Sequence, residues 1–199
     1  GSLKESLCIE GRKRLYAFCE QYDVPHRKTG KLIVAPSADH PALDRLEQKA
    51  RGLNIPTERL SREEISEREP NVRAEAALFS PETGILDSHT YILRLQQEAE
   101  RQGALLMKRT RYLRGKAENG LWHISLQTSD GEFRVTSERM INAAGLHSHD
   151  VAKRSGADTS LFPRLHYCRG HYFSYNGKSP FNHLIYPLPE KDLAGLGIH

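Results

Sequence analysis

The sequence predicts an α/β protein built on a mixed β-sheet. Apolar residues recur at helical spacing through residues 2–22, which is typical of an amphipathic helix. Residues 31–35 form a short apolar run between a glycine and a proline, which is typical of a buried strand. Over residues 122–127 apolar and polar side chains alternate, as they do in a strand with one solvated face. A chain with both periodicities combines helices and strands in one fold.

Two more helices are predicted in the first third of the chain. The helix of residues 2–22 should end before Pro25, because the residue that precedes a proline disfavours the helical conformation. Apolar residues with helical spacing predict a second helix over residues 43–53. A short third helix should begin at Ser61, since Glu64 lies three residues later and completes a capping box.

The middle of the chain is predicted to contain two extended pieces, a helix and a strand. Residues 76–80 and 85–86 flank a Pro-Glu-Thr-Gly sequence that is typical of a tight turn. Asp87 or Ser88 can cap the helix that follows. Residues 104–107 are apolar and are predicted to form a strand after that helix.

A hairpin is the clearest sheet signal in the second half. Asp130-Gly131 is a typical hairpin turn, and a return strand should follow it. The apolar run of residues 140–145 closes in small residues and is predicted as the end of a buried strand, with a helix after it from about His147 to Ser155. Residues 166–175 and 184–187 are also expected to be extended.

Composition and charge exclude several classes of protein. The net charge is +4, but the basic residues are scattered among acidic ones and form no stripe with aromatic partners, so nucleic-acid binding is not expected. The three cysteines form no Cys-x-x-Cys pair, which favours free thiols in a reducing compartment. With no secretory signal and no apolar run of about 20 residues, a cytoplasmic location is expected.

The segment Asn142–Gly145 is the first candidate site. Small residues at a strand end let a ligand approach the backbone, and the start of the next helix offers N–H donors to a phosphate. The alternative is a close packing contact between strand and helix. The segment His147–Asp150 is expected to be an exposed helix start and not a metal site, because no second cluster with ligand spacing exists.

Tyrosines and histidines near the C-terminus form a second candidate site. Such side chains can bind carboxylates or accept a proton from a hydroxyl group, and here they are Tyr172, Tyr175, Tyr186, His171 and His199. The alternative is that they are ordinary sheet residues with polar tips.

Several segments together resemble the FAD-dependent oxidoreductases of the D-amino-acid-oxidase superfamily, and among them the 2-hydroxyglutarate oxidases. Each segment alone is a weak match, but their order along the chain is specific. The segments are residues 1–11, 25–27, 30–35, 83–89, 141–147, 169–174, 184–190 and 195–199.

The resemblance implies an FAD-binding Rossmann-like domain interleaved with a substrate domain on a mixed sheet. Residues 1–23 and 76–158 would belong to the FAD-binding domain, and residues 24–75 and 159–199 to the substrate domain. The implied reaction is hydride transfer from the carbinol carbon of an L-2-hydroxy acid to the flavin, while a base accepts the hydroxyl proton.

The resemblance also assigns residues to roles. Catalysis is expected of Tyr186 and His199, and substrate binding of Lys31 and Tyr172. The residues expected beside FAD are Asn142, Ala143, Ala144 and Gly145, with Thr110 and Tyr112 near its adenine end.

The sequence departs from the family at the dinucleotide fingerprint, because it contains no G-x-G-x-x-G. It is therefore expected to be an internal fragment that binds FAD poorly and is inactive alone. Two alternatives stay open, namely a relative acting on an amino acid or glycerol 3-phosphate, and a non-catalytic binding module. A membrane quinone as electron acceptor would imply peripheral association with the inner membrane.

Overall fold

The computed structural model describes residues 2–189, which divide into two compact units. Unit 1 consists of the described residues up to Glu98 together with those from Gly170, and unit 2 spans Ala99–Arg169. The helices are α1 (Leu3–Gln21), α2 (Pro41–Gly52), α3 (Arg62–Arg68), α4 (Ser88–Arg101) and α5 (Ser148–Arg154). The strands are β1 (His26–Arg27), β2 (Lys31–Ala35), β3 (Glu58–Ser61), β4 (Ala76–Ser80), β5 (Ile85–Leu86), β6 (Arg111–Glu118), β7 (Leu121–Thr128), β8 (Gly131–Ser137) and β9 (Leu184–Pro187).

Unit 1 is built on a four-stranded mixed sheet in the order β3-β4-β2-β9. β4 is antiparallel to β2 and β3, whereas β9 is parallel to β2. A separate two-stranded ribbon pairs β1 with β5. The predicted α/β class with a mixed sheet is confirmed.

The core of unit 1 lies on both faces of this sheet, because successive residues of a strand point to opposite sides. On one face Ile65 of α3 packs with residues of the strands, and on the other face Leu43 of α2 does so. The buried residues of the first cluster are Leu32, Leu60, Ile65 and Ala77, and those of the second are Ala35, Leu43, Ala76 and Leu78.

The helix boundaries predicted from local signals are confirmed. α1 ends at Gln21, and α3 begins after Ser61 with the expected capping box. There Ser61 Oγ accepts a hydrogen bond from the Glu64 N–H at 3.3 Å, while Glu64 Oε2 accepts one from the Ser61 N–H at 2.7 Å. Asp87 caps α4 by accepting from the N–H groups of His89 and Thr90.

Unit 2 contains the antiparallel sheet β6-β7-β8 and the short helix α5, which follows a 3-10 turn at Gly145–His147. The predicted hairpin is confirmed, but its turn lies one residue earlier than expected: Thr128 pairs with Gly131, so Ser129 and Asp130 form the turn and Gly131 begins β8. A bulge in β6 between Tyr112 and Arg114 shifts the register against β7. Within residues 2–189, no helix is both long and apolar enough to cross a lipid bilayer.

Three segments predicted to be extended are not strands in the structure. Residues 104–107, 140–144 and 166–175 carry no strand assignment. Leu105 is 90% exposed and Ile141 is 89% exposed. An apolar run forms a strand only when a neighbouring strand accepts and donates its backbone hydrogen bonds. The described residues supply no such neighbour here.

The predicted domain borders also differ from the compact units. The border at residue 76 would separate β4 from β2 and β3, although all three pair in one sheet. Residues 3–21 likewise fall in unit 1, and residues 159–169 fall in unit 2. Pairing between distant strands decides these memberships, and local sequence does not encode it. Which unit serves the cofactor and which the substrate stays a prediction.

Gly30 is a position where we expect a large effect from a small substitution. Its backbone is left-handed with φ +71°, and an added Cβ would overlap the ring of Phe79. We expect Gly30→Ala to lower the free energy of unfolding by about 1–3 kcal/mol, since strain and overlap add. Gly11→Ala is the matched control, because a Cβ there meets no atom and helical alanine is favoured over glycine. Urea denaturation of both variants measures the difference, and equal stability would contradict this account.

Candidate functional site

Lys31 and Tyr186 come together in unit 1 because β2 and β9 run parallel. Tyr186 pairs in register with Ile33, two residues beyond Lys31. The Lys31 Nζ atom lies 5.1 Å from the centroid of the Tyr186 ring, within the range of a cation–π interaction. Two of the predicted substrate-site residues are therefore neighbours.

The environment of Lys31 is partly apolar. Burial lowers the pKa of Lys31 from its ordinary value of 10.5, because the charged ammonium is desolvated. A groove of about 300 Å³ lies beside it, between the sheet and the helices α1 and α2. Its lining includes Cys8, Lys31, Ile33, Leu46, Leu78 and Ser80. Lys49 also lines the groove, but it is paired with Glu5 at 2.7 Å. Lys31 is therefore the cation that can bind a small acid whose carbon chain packs on apolar side chains.

A buried carboxylate fixes the start of β9. Glu69 is 0% exposed, and its Oε1 atom accepts hydrogen bonds from the N–H groups of Asn182 at 2.7 Å and His183 at 2.6 Å. The His183 Nδ1 atom lies 2.7 Å from the same oxygen. These contacts fix Asn182 and His183, the two residues before β9. They thereby help to position Tyr186 of β9 beside Lys31.

Sequence reasoning missed Glu69. It lies in the charged run Glu67-Arg68-Glu69, which reads as a solvated helix face. Its partners follow more than a hundred positions later in the chain, so no local spacing marks it as buried. The only local sign is that it ends α3 directly before Pro70, where the backbone leaves the helix.

In unit 2, residues 142–145 form an open loop that Asn142 holds in shape. The Asn142 Nδ2 group donates to the Ser148 carbonyl at 2.8 Å, and its Oδ1 accepts from the Ala144 N–H at 3.2 Å. Gly145 has φ +56°, and a Cβ added there would meet no atom. Ala143 is exposed and Ala144 is half-buried. The loop is thus open at Ala143 and Gly145, and cofactor binding there stays a prediction.

The predicted phosphate-binding helix start is weaker than expected. The Ala144 N–H is bonded to Asn142, the His147 N–H to the Ala144 carbonyl, and the Ser148 N–H to the Gly145 carbonyl. α5 is short and follows a 3-10 turn, so several donors close the loop on itself. These bonded N–H groups are not available to a phosphate.

Tyr112 and Thr110 have local partners in unit 2. The Tyr112 hydroxyl lies 2.6 Å from Ser155 Oγ, and that hydroxyl in turn donates to the Val151 carbonyl at 2.7 Å. Tyr112 is therefore the donor to Ser155 and ties β6 to α5. Thr110 Oγ1 donates to the Lys108 carbonyl at 3.2 Å.

The remaining predicted site residues are not brought to these places. Tyr172 lies in the exposed segment 166–175, where Phe173 is 99% exposed. His199 lies outside the described residues. The His147 Nδ1 and Asp150 Oδ2 atoms are 3.8 Å apart. Among residues 2–189, no group of three His, Cys, Asp or Glu side chains is arranged to hold a metal ion.

Curated relatives share the whole length of this chain. An L-2-hydroxyglutarate dehydrogenase of Arabidopsis thaliana mitochondria is 37% identical over 100% of the chain, which covers 47% of that relative. The enzymes with the same name from Homo sapiens mitochondria and Escherichia coli K12 are each 28% identical over the whole chain, and 45% and 47% of their lengths are covered. The chain thus spans about half the length of the curated relatives it matches.

Solved structures share the fold at lower identity. Glycine oxidase from Geobacillus kaustophilus aligns with a TM-score of 0.67 and 21% identity, covering 78% of this chain and 44% of that one. L-proline dehydrogenase from P. horikoshii gives a TM-score of 0.62 at 21% identity, covering 74% and 40%. At this identity the likeness establishes the fold alone. The family model described as FAD dependent oxidoreductase matches residues 2–199, and the chain belongs to that family.

Proposed function

We propose that this chain is part of an FAD-dependent oxidoreductase that oxidises an L-2-hydroxy acid of the 2-hydroxyglutarate type to the 2-oxo acid. The observation that carries the proposal is the pairing of Lys31 with Tyr186 at the edge of the mixed sheet. The similarity to dehydrogenases named for L-2-hydroxyglutarate supports the substrate class.

In this proposal the residues of unit 1 bind and orient the acid. The Lys31 ammonium binds one substrate carboxylate by a charge-assisted hydrogen bond. Tyr186 aligns the hydroxyl-bearing carbon, with Tyr172 as a further binding residue, and His199 accepts the hydroxyl proton. When bound, FAD supplies the hydride acceptor.

The residues of unit 2 hold the cofactor in this proposal. Asn142–Gly145 would lie along the nucleotide, because their small side chains and open loop permit close approach of a ligand. Thr110 and Tyr112 would lie near the adenine end. The sequence contains no G-x-G-x-x-G, so we expect residues 1–199 alone to bind FAD poorly.

Lys31→Met tests the role of the cation in the complete, FAD-loaded gene product. We expect the KM for L-2-hydroxyglutarate to rise about tenfold or more, because one hydrogen bond between charged groups is lost. Anaerobic flavin bleaching with a panel of L- and D-2-hydroxyglutarate, amino acids and glycerol 3-phosphate measures activity and substrate class together. Lys13→Met is the matched control on the exposed side of α1. Bleaching by amino acids or glycerol 3-phosphate alone would favour the second substrate class, and no bleaching at all would favour a binding module.

The same cation predicts a pH dependence. Only the protonated form of Lys31 binds a carboxylate, and burial lowers the pKa of Lys31 below 10.5. Affinity for the acid should therefore be complete below that lowered pKa and fall as pH rises through it. Lys31→Arg should keep its charge at those pH values, since a guanidinium does not deprotonate. If KM does not change with pH in either the wild-type protein or Lys31→Arg, Lys31 is not the cation that binds the carboxylate.

The electron acceptor and the location complete the proposal. We infer a cytoplasmic protein that reaches a membrane quinone, if it uses one, by peripheral association. Comparing oxygen consumption with reduction of a soluble quinone, together with fractionation of membranes, distinguishes the two acceptors.

A further inference from the structure

A basic cleft lies in unit 2, and none of the residues assigned above to the cofactor or substrate lines it, although Tyr112 contacts Ser155 beside it. It has a volume of about 740 Å³ and is bordered by strands β6 to β8 and the end of α5. Its cationic lining residues, which define what we call the basic cleft, are Arg114, Lys116, Arg134, Lys153 and Arg154. Neither Asn142–Gly145 nor Tyr112 lines it.

The register of the sheet brings the cations together. Arg114 pairs with Ser125, which pairs with Arg134, so two arginines flank one buried serine in the same row. Lys116 lies in the next row, beside His123. Neighbouring strands are about 4.8 Å apart, so the backbones of the two arginines are roughly 10 Å apart. At that separation the side chains of Arg114 and Arg134 can contact the same ligand from opposite sides.

The charges of the cleft are not balanced. Arg114 is paired with Glu132 at 2.9 Å, and Lys116 with Glu118 at 3.3 Å. Within residues 2–189 Arg134, Lys153 and Arg154 have no carboxylate partner, so three positive charges remain. Lys153 and Arg154 are favourable at the C-terminal end of α5, where the helix dipole is negative. The dipole does not account for Arg134, which lies on the sheet.

We propose that the basic cleft binds a small phosphorylated anion, independently of the oxidoreductase reaction. Its volume is that of a small-molecule site, and lysine and arginine are the usual partners of phosphate oxygens. Nucleic acid is disfavoured, because the described lining includes no Phe, Tyr or Trp and His123 alone gives no platform on which successive bases could stack. Binding relieves the repulsion among the three unpaired cations and should weaken as salt screens the charges.

Titration of the full chain with pyrophosphate, followed by calorimetry and amide chemical shifts, tests the proposal. We expect saturable binding with shifts at residues of the cleft, and affinity that falls as salt rises. Arg134→Glu and Lys153→Glu should each weaken binding about tenfold or more, because each removes a charge-assisted contact. Arg164→Glu makes the same charge change at an exposed position outside the cleft and should leave affinity nearly unchanged.

Further arms separate the sources of phosphate. ADP and FAD are titrated in parallel with pyrophosphate, and a polyglutamate peptide serves as an acidic polymer without phosphate. Competition by FAD at equal affinity would assign the cleft to the cofactor and overturn the proposal, as would binding of polyglutamate but not pyrophosphate. An equal loss for Arg164→Glu, or no saturable binding, would also overturn it. Arg134→Ala replaces Arg134→Glu if circular dichroism reveals that the charge reversal unfolds the chain.

Discussion

Replacing Glu69 by alanine should destabilise unit 1 by about 3–5 kcal/mol and release β9 from the sheet. The carboxylate is fully buried, and its Oε1 atom serves two backbone N–H groups and one imidazole nitrogen of residues 182–183. Without it these groups have no acceptor and cannot reach water without undocking. Hydrogen exchange of residues 184–187, followed by mass spectrometry, should rise sharply, while exchange in β6–β8 stays as it is.

Two variants sharpen this test. Glu67→Ala removes an exposed carboxylate from the same helix, and we expect a change within about 0.5 kcal/mol. Glu69→Gln keeps one acceptor oxygen and should lose less stability than Glu69→Ala. Unchanged exchange at 184–187 in Glu69→Ala would mean that strand pairing alone holds β9, and would remove the positioning role we assign to Glu69.

Leu32→Ala should lower the free energy of unfolding by about 2–5 kcal/mol. Leu32 is 0% exposed on a central strand, and it packs with Leu60 and Ile65 from two other elements. Truncation loses its apolar transfer energy and leaves a cavity that a sheet backed by α3 cannot close easily. Lys31 lies in the same strand, so we also expect faster amide hydrogen exchange along β2 in Leu32→Ala.

The control for this core substitution is Leu7→Ala. It removes the same atoms from α1, where the side chain is 61% exposed, so the change should stay below about 1 kcal/mol. Denaturant midpoints of the two variants, measured together, give the comparison. Similar midpoints would mean that the first apolar cluster contributes little to the stability of unit 1.

Elements specified by neighbouring residues could be predicted from the sequence. The capping box at Ser61 and Glu64 needs only two side chains three positions apart, and the hairpin turn needs only a few adjacent residues around Asp130. In each case the hydrogen bonds that form the element join residues only a few positions apart, so the local sequence is sufficient to predict it.

Features that depend on distant pairing could not be predicted in this way. Residues 104–107 and 140–144 have the composition of strands but lack partners among the described residues, and 104–107 and 141–143 are exposed. β4 lies between β2 and β3 in one sheet, so the compact unit does not end at residue 76 as the predicted domain does.

The candidate site is intermediate between these cases. Resemblance to the family selected Lys31 and Tyr186 one at a time, and the structure brings them within 5.1 Å through a parallel pairing that spacing does not reveal. The loop at Asn142 has the openness that its small residues predicted. Several of the N–H donors expected at the start of its short helix are already used, because they bond to other groups of the same loop.

The pairing of β9 with β2 has a consequence for how the protein is made. During synthesis β2 leaves the ribosome early, while its parallel neighbour emerges only after all of unit 2. The β6–β8 hairpins connect close neighbours and can close quickly, but the last strand must wait for a long loop to be bridged. In that interval one side of β2 presents bare N–H and C=O groups that could pair with another nascent chain. The lysine at its first position is the kind of charged residue that discourages such pairing.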